Sequence, residues 1–201
     1  MKKQFNEYFL TFPVLETERL LLRQIREEDE PSIKEMSADF ETKKYFGYYD
    51  PETGITYPEF EGEDAKVRTY AQNVNFWYKE KAEIRFIVEH KESKNVIGEV
   101  YMFDFAAERM AEIGYRVNRR FWGQGIATEA VKSVTDFAFD TMELKRLHLK
   151  CFTINPASSR IAEKVGFKRE GLIRQGLALK IFTDYYVYGM IEEDRISMLT
   201  L

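Results

Sequence analysis

Stretches in which every second residue is apolar alternate along this chain with stretches in which apolar residues recur every three or four, and the change of period maps its elements. RLLLRQI, Arg19 to Ile25, is a short apolar run with charged ends, and the acid-rich EEDEPSIKEM after it suits a turn into a first helix. YYDPETGITYPEFEGED, Tyr48 to Asp64, mixes prolines, glycines and acids and reads as a long surface loop, with a helix following from Ala65 to about Lys81. Three strands come next: EIRFIVEH, in which Ile84, Phe86 and Val88 alternate; the nearly continuous VIGEVYMFDF; and AEIGYRV, where Ile113, Tyr115 and Val117 share a face. Short turns around Lys94-Asn95 and Ala106 to Arg109 make these an antiparallel meander. Further on, Ile126, Ala127, Ala130, Val131, Val134, Phe137 and Ala138 form one helical stripe. RLHLKCFT is a strand with Leu147, Leu149 and Cys151 on one face. NPASSRIAEKVGF is a helix capped by Asn155, opened by Pro156 and stopped at Gly166, and YYVYGMI supplies a late strand. The order predicts a mixed α/β or α+β domain.

Composition narrows the classes. A chain of 201 residues, 44% of them hydrophobic, can bury one sizeable core, so a single domain is expected over 1–201. A net charge of −4 argues against a nucleic-acid partner, which needs a basic face. The single cysteine, Cys151, allows neither an intrachain disulfide nor a four-cysteine metal site, and it reads as a small buried hydrophobe. No metal is expected. The start, MKKQFNEYFLTFP, lacks the continuous apolar core of a signal peptide, and no apolar run approaches the roughly 20 residues of a membrane span. The expectation is a reducing, cytoplasmic compartment and no membrane partner.

The segment NRRFWGQGIATEAVKS holds the chemistry. It joins a strand to a helix through Gly123 and Gly125, which permit positive φ and let a ligand approach bare N–H groups. The unsatisfied N–H groups and dipole of the helix start favour an anion such as phosphate. A P-loop is excluded, because Ile126 and Ala127 follow Gly125 where Lys and Ser/Thr are needed. The dinucleotide pattern is excluded too, since its third glycine is Thr128 and its flanks are a meander. What fits is R-x-x-G-x-G, as Arg120, Gly123 and Gly125.

With TERLLLRQI, NVIGEV, AEIGYRV, RFWGQGIATEA and NPASSRIAEKVGFKREG in this order, the chain resembles the GNAT family of N-acetyltransferases from about Leu15 to about Asp194. Within it, the branch of ribosomal-protein N-terminal acetyltransferases is most similar. The resemblance implies a mostly antiparallel central sheet whose fourth strand, AEIGYRV, is bulged near Gly114 to Arg116 and splays from the fifth, RLHLKCFT. It implies acetyl-CoA as donor, with its pyrophosphate on N–H groups from Arg120 through Gly123, Gln124, Gly125, Ile126 and Ala127 to Thr128. The pantetheine arm would pair with backbone of Tyr115 and Val117, as an added strand does, and Asn155 would contact the cofactor unless it only caps its helix.

Acetyl transfer to an amine needs a base for the ammonium proton and a donor for the departing thiolate. Glu112 is the base candidate, being at the start of the fourth strand, or else an ordinary strand glutamate; Glu99 is the reserve. Family members often carry a tyrosine seven positions after the asparagine, where this chain has Ala162. Ser158 is the candidate acid, or else part of the helix cap, and Tyr185, Tyr186 and Tyr188 are substitutes. Phe121 and Trp122 read as packing rather than a nucleobase platform. The acids of the 48–64 loop would either attract a cationic acceptor or form a solvated surface. Peptide N-termini, polyamines, aminoglycosides and amino acids all remain open as acceptors, and so do monomer and homodimer. The alternative to an enzyme is a non-catalytic acyl-CoA-binding sensor.

Overall fold

In the computed structural model, which describes residues 4–46, 68–178 and 181–199, the expected meander is the middle of one eight-stranded sheet. The strands are β1 (Leu15–Glu16), β2 (Leu20–Arg23), β3 (Glu83–His90), β4 (Val96–Ala106), β5 (Met110–Val117), β6 (Arg146–Phe152), β7 (Lys168–Ala178) and β8 (Ile181–Ile191), ordered β1-β2-β3-β4-β5-β6-β8-β7. The helices among the described residues are α1 (Glu30–Ala38), α2 (Phe40–Phe46), α3 (Tyr70–Lys79), α4 (Ile126–Asp136), α5 (Pro156–Val165) and α6 (Glu192–Leu199).

Alternation along the strands divides the core between the two faces of the sheet. Phe86 and Val88 of β3, Val100 and Met102 of β4, Ala111 and Ile113 of β5 and Leu147 and Leu149 of β6 pack with Ala130 and Val134 of α4 and Ala162 and Val165 of α5. On the other face Ile87 meets Ile33 and Met36 of α1 and Ala71 and Val74 of α3. Pairs from Leu20↔His90 through Gly98↔Val117 are antiparallel, with tight turns at Lys94 (φ 58°) and at Ala107 and Glu108 (φ 49° and 56°).

Because the two-residue β1 precedes RLLLRQI, the strands expected as fourth and fifth are β5 and β6. They are parallel and pair only at Met110↔Arg146, Ala111↔Leu147 and Glu112↔His148; beyond Glu112 they separate. That splay opens the cleft described below.

The structure corrects one expectation, refines two helices and adds a strand. The bulge foreseen at Gly114 to Arg116 is not in β5, whose register with β4 is unbroken from Glu112 to Val117. The irregularity lies between Phe103 and Ala106 of β4, where Asp104 takes φ 53°. The helix foreseen from Ala65 to about Lys81 spans Tyr70–Lys79 among the described residues, and positions 65–67 lie outside them. Thr69 caps it, its Oγ1 accepting from Gln72 N (3.3 Å) while Gln72 Oε1 accepts from Thr69 N (3.2 Å). The stripe ending at Ala138 is α-helical to Asp136 and π-helical over Phe137–Thr141. β7 was missed: KREGLIRQGLA is exposed along nearly its whole length at the sheet edge, so it carries no buried-face pattern. The acidic loop 48–64 lies outside the described residues.

Candidate active site

The RFWGQG turn is built to leave backbone donors open. Asn118 Oδ1 accepts from Arg120 N (3.0 Å) to start a 3₁₀ turn, and Gly123 (φ 74°) and Gly125 (φ 79°) then swing the chain through the left-handed region into α4. A side chain at either glycine would meet no clash in the free protein, so the positive φ is what requires glycine. Among the described residues, the N–H groups of Gly123, Gln124, Gly125, Ile126, Ala127 and Thr128 have no protein acceptor. Arg19 locks the turn from the first strands, donating from Nη1 to Gln124 O (2.9 Å) and from Nε to Glu129 Oε2 (2.7 Å). Burial opposes ionisation of Glu129, but hydrogen bonds from Thr17 and Arg19 outweigh it and hold the carboxyl below its ordinary range.

From this turn the cleft runs between β5 and β6. Asn118 N donates to Ile97 O (2.7 Å), and with the β4–β5 register this directs the N–H and C=O of Tyr115 and Val117 away from β4 toward the opened side. The Val117 carbonyl is taken by the Trp122 indole Nε1–H (2.7 Å). A cavity of about 690 Å³ fills the opening, within the usual range for small-molecule sites. Its wall contains Glu112, Tyr115, Val117, Gly123, Gly125, Ile126, Ala127, Thr128, Asn155 and Ser158. Of the residues expected here, Arg120 and Gln124 are not on it: the Arg120 guanidinium pairs with Glu35 (3.0 Å), and Gln124 Nε2 donates back to Arg120 O (3.0 Å).

At the inner end, where the strands part, Glu112 Oε2 accepts from Lys150 Nζ (2.8 Å) and lies 3.5 Å from His148 Nε2. Burial pushes this carboxyl up, yet His148 and Lys150 prevail and hold it below the ordinary glutamate value, so it is ionised at neutral pH. Across the cleft Asn155 Oδ1 caps α5 by accepting from Ser158 N (3.2 Å). The Ser158 Oγ lies 2.8 Å from the Tyr115 hydroxyl and 3.2 Å from Cys151 Sγ. Cys151 is buried as expected.

Comparisons with known proteins meet this geometry. Residues 19–168 match the model of the acetyltransferase (GNAT) domain. The chain belongs to the GNAT acetyltransferase family. It is 34% identical over 165 residues to the N-acetyltransferase YoaA of Bacillus subtilis, covering 82% of this chain and 88% of that one. A GNAT-family acetyltransferase of Bacillus anthracis has a similar structure (TM-score 0.69, 25% identity, 90% and 99% covered). So has a ribosomal L7/L12 alpha-N-protein acetyltransferase in complex with coenzyme A (TM-score 0.70, 19% identity, 89% and 98% covered).

This GNAT enzyme departs from its family where the sequence indicated. Ala162 is fully buried in the core and brings no hydroxyl to the cleft. Tyr185, Tyr186 and Tyr188 do not line the cavity, and the Tyr188 hydroxyl donates to Glu163 (3.0 Å). Glu99 is 0% exposed, off the cavity wall, and bound by Arg85 (2.9 Å), Arg116 (3.0 Å) and the Tyr70 hydroxyl (2.7 Å). Lys150, the Trp122 indole and the Tyr115 hydroxyl escaped the sequence reading. Only Trp122 carried a local signal, an indole donor five residues from the carbonyl it caps.

Proposed function

We propose that this enzyme moves the acetyl group of acetyl-CoA to an α-amine, the N-terminus of a peptide or protein, within one ternary complex. The carrying observation is that a single cleft is lined by Gly123, Gly125, Ile126, Ala127 and Thr128, whose N–H groups are unpaired among the described residues, and by Glu112 and Ser158. In this reading the pyrophosphate takes the open donors from Gly123 onward, the Arg120 N–H being already used by Asn118. The pantetheine arm runs along the free edge of β5, with the Tyr115 backbone and the Val117 N–H as partners, and Asn155 at the far wall. Glu112 receives the ammonium and passes its proton to water. Ser158 donates a hydrogen bond to the sulfur as the C–S bond breaks.

The electrostatics of Glu112 favour the α-amine. A carboxylate held below its ordinary pKa is a weak base, and the acceptor must supply some free amine itself. At pH 7 an α-amine of pKa about 7.8 is roughly one-seventh free, whereas an alkyl amine of pKa about 10.4 is free to roughly one part in a few thousand. Glu112 is also the one acidic side chain on the described cavity wall, against the several that a polyamine needs. Aromatic Tyr45, Phe46, Tyr101 and Phe103 line the same end and suit a peptide backbone. Reducing cytoplasm is the compartment that fits such an acceptor.

The test is thiol release from acetyl-CoA with peptides beginning with Ser or Ala, the same peptides blocked at the α-amine but carrying lysine, and spermine. Release with the free peptides alone is expected. Release with spermine or lysine alone would overturn the acceptor class. Binding of acetyl-CoA with no release in any arm would favour the sensor.

A further inference from the structure

We infer that the Tyr115 hydroxyl is a positioning group that aims the Ser158 hydroxyl at the departing sulfur. The inference rests on the reading of Ser158 given above and deepens it. Tyr115 sits on β5 and Ser158 in the first turn of α5, 43 residues apart, and their hydroxyls meet at 2.8 Å across the cleft with both residues on its wall. Ala162 leaves α5 without a phenol, and this phenol reaches the helix from the opposite strand instead.

The hydrogens of this cluster are assigned from their acceptors. A serine hydroxyl has one hydrogen and two acceptor lone pairs. Either hydroxyl can donate in the 2.8 Å contact; its hydrogen is assigned to Tyr115, whose other acceptor, Ser158 O, is farther away at 3.4 Å. Ser158 is then left to donate either to Cys151 Sγ, a neutral and weak acceptor at 3.2 Å, or into the cavity. A sulfur gaining charge in the cavity outcompetes a neutral thiol, because hydrogen bonds to ionised acceptors are roughly twice as strong. Burial lifts Tyr115 well above its ordinary value and the Cys151 thiol to about 11, so both stay protonated at neutral pH and the phenol remains a donor.

The chemistry balances with Ser158 as a hydrogen-bond donor. The amine nitrogen bonds the acetyl carbon, the C–S bond breaks with its electron pair going to sulfur, and the amine proton leaves through Glu112 to water. A thiol of ordinary pKa, about 8.5, does not strip a proton from a phenol above 10. The sulfur therefore leaves under the Ser158 hydrogen bond and takes its proton from water.

A double-mutant cycle on the full chain tests this, with acetyl-CoA and a Ser-initiated peptide as substrates. Ser158→Ala should lower kcat roughly 10- to 100-fold, the worth of one hydrogen bond to a charged group. Tyr115→Phe, which keeps the ring and its packing, should lower kcat by about 3- to 10-fold at unchanged KM for acetyl-CoA. The double variant should be no slower than Ser158→Ala alone. Both losses should shrink with an acetyl thioester of a more acidic thiol, which a merely structural defect would not produce. Parental kcat for Tyr115→Phe beside a slow Ser158→Ala overturns the inference and leaves the reading of Ser158 standing, as does full additivity in the double variant. Parental kcat for Ser158→Ala overturns both.

Discussion

Glu99 and Glu112 lie on neighbouring strands, on one face of one sheet, and both are buried, yet their partners differ in kind. Both Glu99 oxygens are engaged, by two guanidiniums and a phenol, and no edge of it reaches the cavity. Glu112 holds a half-exposed lysine through Oε2, its Oε1 has no partner among the described residues, and it stands on the cavity wall. Burial resists ionisation in each and cations prevail in each, so the two pKa directions are the same. What separates them is whether a partner can be exchanged. In the proposed mechanism an arriving ammonium replaces Lys150 beside Glu112, whereas Glu99 is 0% exposed, off the cavity wall and held by Arg85 and Arg116. That makes Glu99, the reserve base by sequence, a structural carboxylate.

Substitution at Glu99 should break the comparison in stability first. Glu99→Gln leaves Arg85 and Arg116 without their shared carboxylate, a loss of about 3–5 kcal/mol by the usual cost of breaking a buried pair. Chemical denaturation measures it. The pH dependence has a definite sign: with its folded pKa depressed, Glu99 contributes fully above its unfolded value of about 4.3 and loses that contribution as pH falls through the lower folded value. The gap between parent and Glu99→Gln should therefore close in acid.

A smaller effect is expected at the other end of the cleft. Gly125→Ala forces an L-residue into φ 79° at a cost of about 1–2 kcal/mol, and the strained turn should bind acetyl-CoA about tenfold more weakly. Arg120→Ala, whose guanidinium is exposed and whose N–H bonds Asn118, should leave affinity within about twofold. Titration calorimetry on both variants decides between turn backbone and arginine charge as the anion site. The smallest effect sharpens the role of Lys150: Lys150→Met removes a partner that depresses Glu112, so the acid limb of the pH–rate profile should move to higher pH. An unmoved limb would separate Glu112 from the titration that governs the rate.

Local signals were legible in the sequence and non-local ones were not. The glycine turn into α4 could be read because both positive-φ glycines, the arginine pair and the helix start fall within NRRFWGQGIATEA. The α5 cap could be read because Asn155, Pro156 and Gly166 act within one helix. The splay of β5 from β6 came only with the family resemblance, since no residue of either strand announces where pairing stops. Glu112–Lys150 and Tyr115–Ser158 span 38 and 43 residues, and only the fold brings them together. Two same-face glutamates looked alike because burial and partner exchange are properties of the packed sheet. β7 was invisible because an exposed edge strand needs no apolar alternation.

The central claim is that Glu112 serves the amine, and the pH–rate profile of Glu112→Gln with a Ser-initiated peptide tests it most directly. Glutamine keeps shape and hydrogen bonding and loses basicity, so turnover at pH 7 should fall several-fold, up to the roughly sevenfold set by the share of α-amine still protonated there. The deficit should narrow above pH 8, where the α-amine, of pKa about 7.8, arrives already deprotonated. A profile matching the parent across the range would contradict the account and take Glu112 out of the chemistry.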